Sequence, residues 1–444
     1  MLGEVEEAFE FLYWMGEYRR LAHSWDNGSI IFWLVNPRTY FRVSKGLRPG
    51  TAQFISAAAV VGSSGQCTPE PWSTYLFGLA VLTFATAVNI WGNRILGRWT
   101  NLALWWSLLC AVIVSIVLLS MSEKTDARFV FTSFDNQTGW SDGMAWMLGL
   151  LQPALSLIGF DATLHMTEDM LSPSQDAPLA MLYAIVIGGI TGLAFILVML
   201  FCLVDFDTVV SSPSGMPLIE LILQATKSQA AACIISSMLA ACFVNAMVAG
   251  MASVSRLVYA MARDKGMPYH EFFGRVDTKL GVPVRALLFV YCFNLLFGLL
   301  YLGPAVAFNA YIASCTIFLN ISYALPIIVL LLRGRRILAT FQTADTPWQL
   351  GKHRGLILNW ISVLYVSVAT VFFCFPPSLP ATGNYMNYVS AVIGIFLILF
   401  VTHWTLYGKK FEGPQFDFIM GLRLAMEIEE GQEDADLEKT TGQE

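Results

Sequence analysis

Between Arg98 and Glu123 the chain reads WTNLALWWSLLCAVIVSIVLLSMS, residues 99–122, without one charged side chain. A helix rises 1.5 Å per residue, so this run reaches about 36 Å and exceeds the roughly 30 Å hydrocarbon core of a bilayer. It reads as a membrane-spanning helix, and it is not alone. Further uncharged runs lie between Glu70 and Arg94, Asp142 and Asp161, Asp176 and Asp205, and Lys227 and Arg256. The 47 uncharged residues from Ala286 to Leu332 are too long for one helix and carry Gly303-Pro304 near their middle, which predicts two spans and a tight turn. Residues 355–408 divide in the same way at Pro376-Pro377. These runs predict nine spans. A tenth, shorter one runs from about Thr51 to Gly65; its Ala, Ser and Gly suit a helix packed inside a bundle rather than one facing lipid.

The composition agrees. Of 444 residues, 56% are hydrophobic and 13% charged, and the mean hydropathy is +0.60. Soluble domains carry about 25% charged residues. Collagen, disulfide-scaffold, nucleic-acid-binding and disordered classes are excluded, because none tolerates uncharged apolar runs over most of the chain. The expectation is an all-α polytopic membrane protein. Its divisions are a cytosolic N-terminal segment (1–48), a transmembrane domain (49–408) and an acidic tail (409–444).

Charge placement sets the orientation, since loops facing the cytosol collect Lys and Arg. With the tenth span counted, 23 of the 26 basic residues fall on one side and only Lys124, Arg128 and Lys227 on the other. Both termini are then cytosolic. The net charge of −6 conceals a tail of −8 over residues 412–444 and a body of +2. Asn136-Gln137-Thr138 is a glycosylation sequon in an external loop, making Asn136 a candidate acceptor. Seven of eight cysteines lie in spans and read as small packing residues rather than a disulfide framework.

Enzyme signatures such as a nucleophile elbow, a phosphate loop or a paired Cys-x-x-Cys are absent from the sequence, and nothing in it implies a cofactor or a metal. The chemistry concentrates instead at the end of the third long span. Pro153 and Gly159 weaken its helix, and Asp161, His165, Glu168 and Asp169 follow within nine residues. From Gly143 to Phe160 is only 18 residues, about 27 Å, so Asp161 and His165 stand close to membrane depth. Ionisable groups there are costly unless they face a cavity. Two readings follow. One is a discontinuous helix whose unwound backbone around Gly159, Phe160, Asp161 and Ala162 receives a substrate; the other is an ordinary helix end already in water. In the fifth span, Gly250, Ala252 and Ser253 form a small-residue face suited to helix packing, and Asn245 is a buried polar candidate for substrate contact.

Three motifs together resemble the fungal choline and amino acid permeases of the amino acid, polyamine and organocation transporter superfamily. The first is Val130-Phe131 with Phe134, Asn136 and Thr138-Gly139-Trp140. The second is Gly159-Phe160-Asp161 with His165-Met166 and Glu168-Asp169. The third runs from Ser255-Arg256 through Ala262-Arg263-Asp264 to Gly266-Met267-Pro268. The resemblance covers roughly residues 50–410.

It implies two inverted five-helix repeats plus two further helices, alternating access around a central site, and a broken sixth helix at Gly159 to Ala162. The ten spans then correspond to the family's third through twelfth helices. The first two have no counterpart in residues 1–48, whose longest uncharged run, Asn27 to Pro37, reaches only about 17 Å. The chain is thus expected to be N-terminally incomplete relative to the family's twelve helices. Glu168-Asp169 stands where the family usually has two glutamates. The expected function is transport of amino acids, choline or related small amines, in the plasma membrane, with proton coupling through His165, Glu168 and Asp169. The alternative is a non-transporting receptor or remnant that keeps the fold. The expected partners are a small solute and the lipid bilayer, with no nucleic acid; oligomeric state is not legible.

Overall fold

The computed structural model describes residues 50–63, 70–132, 134, 136, 138–150, 154, 159–160, 162–163, 173–205, 208–209, 216–263, 265, 267–303, 305–334, 351–383 and 386–407. The flanking segments 1–48 and 409–444 lie outside them, as do Asp161, His165, Glu168 and Asp169. Among the described residues there is helix and no strand. The elements in order are α1 (Gly50–Gly62), α2 (Pro71–Trp91), α3 (Asn93–Met121), α4 (Ala127–Thr132), α5 (Asp142–Gly149), α6 (Pro173–Phe201), α7 (Pro217–Thr226), α8 (Gln229–Arg263), α9 (His270–Phe273), α10 (Val284–Gly298), α11 (Ala305–Arg333), α12 (Lys352–Phe372) and α13 (Val389–Tyr407).

Among the described residues, six helices are long and apolar enough to cross a membrane. They match uncharged runs of the sequence, and the predicted turn falls at Gly303, where a 3₁₀ turn over Leu299–Leu302 separates α10 from α11. Of the third predicted span, the described residues include the 8-residue helix α5, Asp142–Gly149, and Ala154 beyond it, which is again helical. The loop before α8 also contains an element with no counterpart in the run analysis, α7. Pro217 occupies its first turn, Lys227 closes it in the left-handed region at φ 51°, and seven of its ten residues are buried.

Helix α8 organises one part of the bundle, packing against α1, α2, α3, α7, α9 and α10. The short α1 lies along it, and its small residues permit the approach. Ala52 and Ala57 are fully buried, Phe54 stacks on Phe243 at 5.3 Å, and Ser236 Oγ of α8 donates to Phe54 O at 2.7 Å. On another face of α8, the buried Asn89 of α2 donates from Nδ2 to Ala85 O and to Val248 O, both at 2.9 Å. Helix α11 packs with α12 and α13, and a separate apolar cluster of Ile317, Ala369, Phe373 and Val389 includes Ala154 from beyond α5.

The two ends of the bundle differ in charge. The turn at Gly281 approaches Asn93 at the start of α3, which places Arg94, Arg98, Lys279 and Arg285 at one end. At the other, Thr125 N donates to Phe201 O, and Lys124 Nζ donates to Leu118 O at 3.1 Å and Ser122 O at 2.8 Å.

Close packing of α1 makes a clear prediction. Ala57→Leu forces a larger side chain into a filled interface and destabilises the protein by about 1–3 kcal/mol. Ala59→Leu, at an exposed position of the same helix, leaves stability unchanged. Thermal melts of the detergent-solubilised variants distinguish the two.

Candidate functional site

Beyond α5, Ala154 stands in helix, its N donating to Leu150 O at 3.1 Å. Gly159 has φ 97°, a conformation that L side chains rarely adopt. Phe160, Ala162 and Thr163 then form a 3₁₀ turn, in which Ala162 N donates to Gly159 O at 3.2 Å. Among the described residues nothing lies within 4 Å of the position a Gly159 Cβ would take, so backbone conformation rather than crowding selects glycine here.

This turn packs on α11. The Phe160 ring lies 5.1 Å from that of Tyr323, tilted by 38°, and Tyr323 is well inside the 29-residue helix α11. Other polar groups occupy the middle of neighbouring helices. Asn320 is the 16th residue of α11, and its Nδ2 is buried without a partner among the described residues, as is the Thr316 hydroxyl one turn before it. A residue four positions on lies on the same helix face, so the two form a polar strip inside an apolar helix. On α8, Ser253 Oγ is likewise buried without a partner. Asn245 is half-buried at the 17th of 35 residues, and its side chain makes no hydrogen bond among the described residues. Leaving such groups unpaired costs about 1–3 kcal/mol each in a protein interior, which marks them as positions where a ligand or water completes the bonding.

The structure thus brings Phe160 together with Tyr323 of α11. It places Asn245 midway along α8, whereas Asp161, His165, Glu168 and Asp169 fall outside the described residues. Asn320, Thr316 and Tyr323 were not singled out as site residues by sequence reasoning. A signal existed, since two hydrogen-bonding side chains four residues apart interrupt a 47-residue uncharged run.

The first motif's described residues from Asn136 to Trp140 form a closed turn. Asn136 Nδ2 donates to Trp140 O at 2.6 Å and to Asp142 Oδ1 at 3.0 Å, while its Oδ1 accepts from Thr138 N and Thr138 Oγ1. Both amide hydrogens are therefore in use; a glycan on Nδ2 leaves one hydrogen for two acceptors. The turn docks on the α12–α13 connection. Leu379 N donates to Thr138 O at 2.7 Å, Trp140 Nε1 donates to Pro376 O at 3.1 Å, and the Trp140 ring meets Phe375 edge-on at 6.0 Å. Gly139 has φ 78°, and a Cβ there would stand 3.0 Å from Leu379 O.

A helical bundle with several apolar spans and a charge difference between its ends defines a polytopic integral membrane protein. The family model described as amino acid permease matches residues 50–398, and the chain belongs to that family. It is 32% identical over 345 residues to the choline transporter of Saccharomyces cerevisiae, a match covering 77% of this chain and 60% of that protein. It is 27% identical over 417 residues to amino-acid permease 2 of Neurospora crassa, covering 92% of this chain and 72% of that one. An amino-acid permease of Oryza sativa subsp. japonica is 31% identical over 350 residues, covering 76% and 66%. The chain therefore spans about three fifths of the yeast relative's length.

The docked turn generates the second prediction. Gly139→Ala loses the left-handed backbone at about 1–2 kcal/mol and also presses on Leu379, whereas Trp140→Phe removes one hydrogen bond at about 1 kcal/mol. Melting temperatures should fall for both, and further for Gly139→Ala; the reverse order would contradict the docking geometry.

Proposed function

We propose that this protein is a membrane transporter of small nitrogenous solutes, namely amino acids, choline or related amines, working by alternating access around the unwound segment at Gly159 to Ala162. The observation that carries the reading is the positive-φ break at Gly159 leading into a 3₁₀ turn whose Phe160 packs on mid-helix Tyr323. Unwound backbone offers free N–H groups to a carboxylate and free C=O groups to an ammonium, as a regular helix does not. The Phe160 and Tyr323 rings add faces on which a quaternary or primary ammonium is stabilised by cation–π attraction. In this reading Asp161 supplies the countercharge, and the amides of Asn245 and Asn320 complete the polar lining. The names of the relatives, choline transporter and amino-acid permease, agree with a zwitterionic or cationic solute.

Transport then consists of exchange between outward- and inward-open populations, with the solute binding best to intermediate states. We assign proton coupling to His165, Glu168 and Asp169, which follow the break in sequence. The 23 basic residues on one side of the spans support cytosolic termini, and the plasma membrane is the proposed location.

Uptake of labelled choline, basic amino acids and 4-aminobutyrate into proteoliposomes tests the proposal, and correct insertion with no flux of any solute would falsify it. Gly159→Ala must abandon φ 97°. Uptake should drop roughly 5- to 30-fold, the effect of about 1–2 kcal/mol on the binding-competent population. Asp161→Ala should reduce uptake without reducing expression.

A further inference from the structure

A cleft of about 560 Å³ opens at the basic end of the bundle, between the C-terminus of α8 and the start of α10. Lys265, Arg275 and Arg285 line it together with His270, and Glu271 is the one carboxylate among the lining residues. One of these cations is held in place. Arg285 donates from Nη1 to Phe272 O at 3.3 Å, and its guanidinium carbon stands 4.5 Å from the centre of the Phe272 ring. Its remaining N–H groups, and all those of the exposed Arg275, have no partner among the described residues. Glu271 pairs with neither arginine.

The backbone around the cleft is constrained. Lys265 and Tyr269 both adopt the left-handed region, at φ 59° and 57°. Two residues beyond Arg275 the chain turns, with Asp277 Oδ1 accepting from Lys279 N at 2.9 Å and Leu280 N at 3.0 Å. The bonds from Leu280 and Lys279 hold the Asp277 carboxyl below its ordinary value, so it stays an anion committed to the turn rather than to the cleft.

The rim carries the opposite chemistry. Tyr269 is 82% and Phe272 52% exposed. Arg285 also begins a stripe on α10 that continues through Leu288, Cys292 and Leu296 at helical spacing, all exposed on the membrane-spanning helix. A guanidinium at the foot of a lipid-facing apolar stripe, beside exposed aromatic rings, matches a ligand with a phosphate head and hydrocarbon tails.

We propose that this cleft binds the headgroup phosphate of an anionic phospholipid, with the acyl chains lying along the Leu288 to Leu296 stripe. The inference rests on the membrane embedding of α10 and is independent of which solute is carried.

Native mass spectrometry of the purified full chain with dioleoyl phosphatidylserine, dioleoyl phosphatidylcholine or inorganic phosphate tests it. Wild type should retain phosphatidylserine in preference to phosphatidylcholine. Each of Arg275→Gln and Arg285→Gln should lower that retention about fivefold, the effect of one basic residue near an anionic membrane surface. Arg285→Lys, which keeps the charge, should retain most of it. Arg98→Gln, which removes the same charge outside the cleft, should retain all of it. Undiminished phosphatidylserine retention in the Arg275→Gln/Arg285→Gln double variant would overturn the proposal. So would binding of inorganic phosphate without phosphatidylserine, which would assign the cleft to a soluble anion. Because the readout is lipid retention, a failure here leaves the transport assay untouched, and the converse also holds.

Discussion

Within hydrocarbon no water is available to bond a peptide group, so each N–H and C=O must find its partner in protein. The rest of the structure follows from that constraint. It selects helix for every long apolar run. It also turns hydroxyls back onto the helices, as when Thr86 Oγ1 donates to Leu82 O at 2.8 Å and Ser322 Oγ to Leu319 O at 2.8 Å. An interruption of helix at depth is tolerable only where protein covers it or a cavity hydrates it. The break at Gly159 meets that condition through α11, whose Tyr323 covers the turn. The same constraint makes the unpaired Asn320 and Thr316 conspicuous, since apolar side chains would fill those positions at no such cost.

The architecture has two parts with different packing. Helix α8 is lined on several sides by neighbours, and the close fit of α1 depends on alanines at its contact face. In that part, interhelical contact comes from small residues and from side-chain bonds such as Asn89 to Val248, rather than from hydrophobic burial, for which lipid competes equally well. The α11–α13 part is linked differently. Its apolar cluster is smaller, and the segment beyond α5 joins it through Ala154. The unwound turn therefore leans on the more loosely connected part of the bundle, while α8 presents Asn245 from the tightly packed part.

The sequence made the spans legible because charge is nearly absent from them, and an uncharged run can be measured against a bilayer. The small residues of 51–65 disclosed a helix that hydropathy alone would miss, and it lies buried as Gly50–Gly62. Gly159 was legible as a weak point, but its φ of 97° is a property of the folded backbone. Three features were not legible. Helix α7 is ten residues long, too short for a span, and its burial comes from contact with α3 and α8. The unpaired state of Asn320 depends on which groups fail to reach it. The docking of Thr138 and Trp140 joins residues some 240 positions apart, a separation no local pattern encodes.

That separation has a consequence for biogenesis. Trp140 is made 236 residues before Pro376, whose carbonyl it binds. At about 5–20 residues per second of chain growth, roughly 10–50 s pass between the two. The local bonds of the Asn136 turn close early, whereas the bond to Leu379 forms only after the connection between α12 and α13 has been made. Throughout that interval the docking face of the turn stands open, and the last connection to be made completes it.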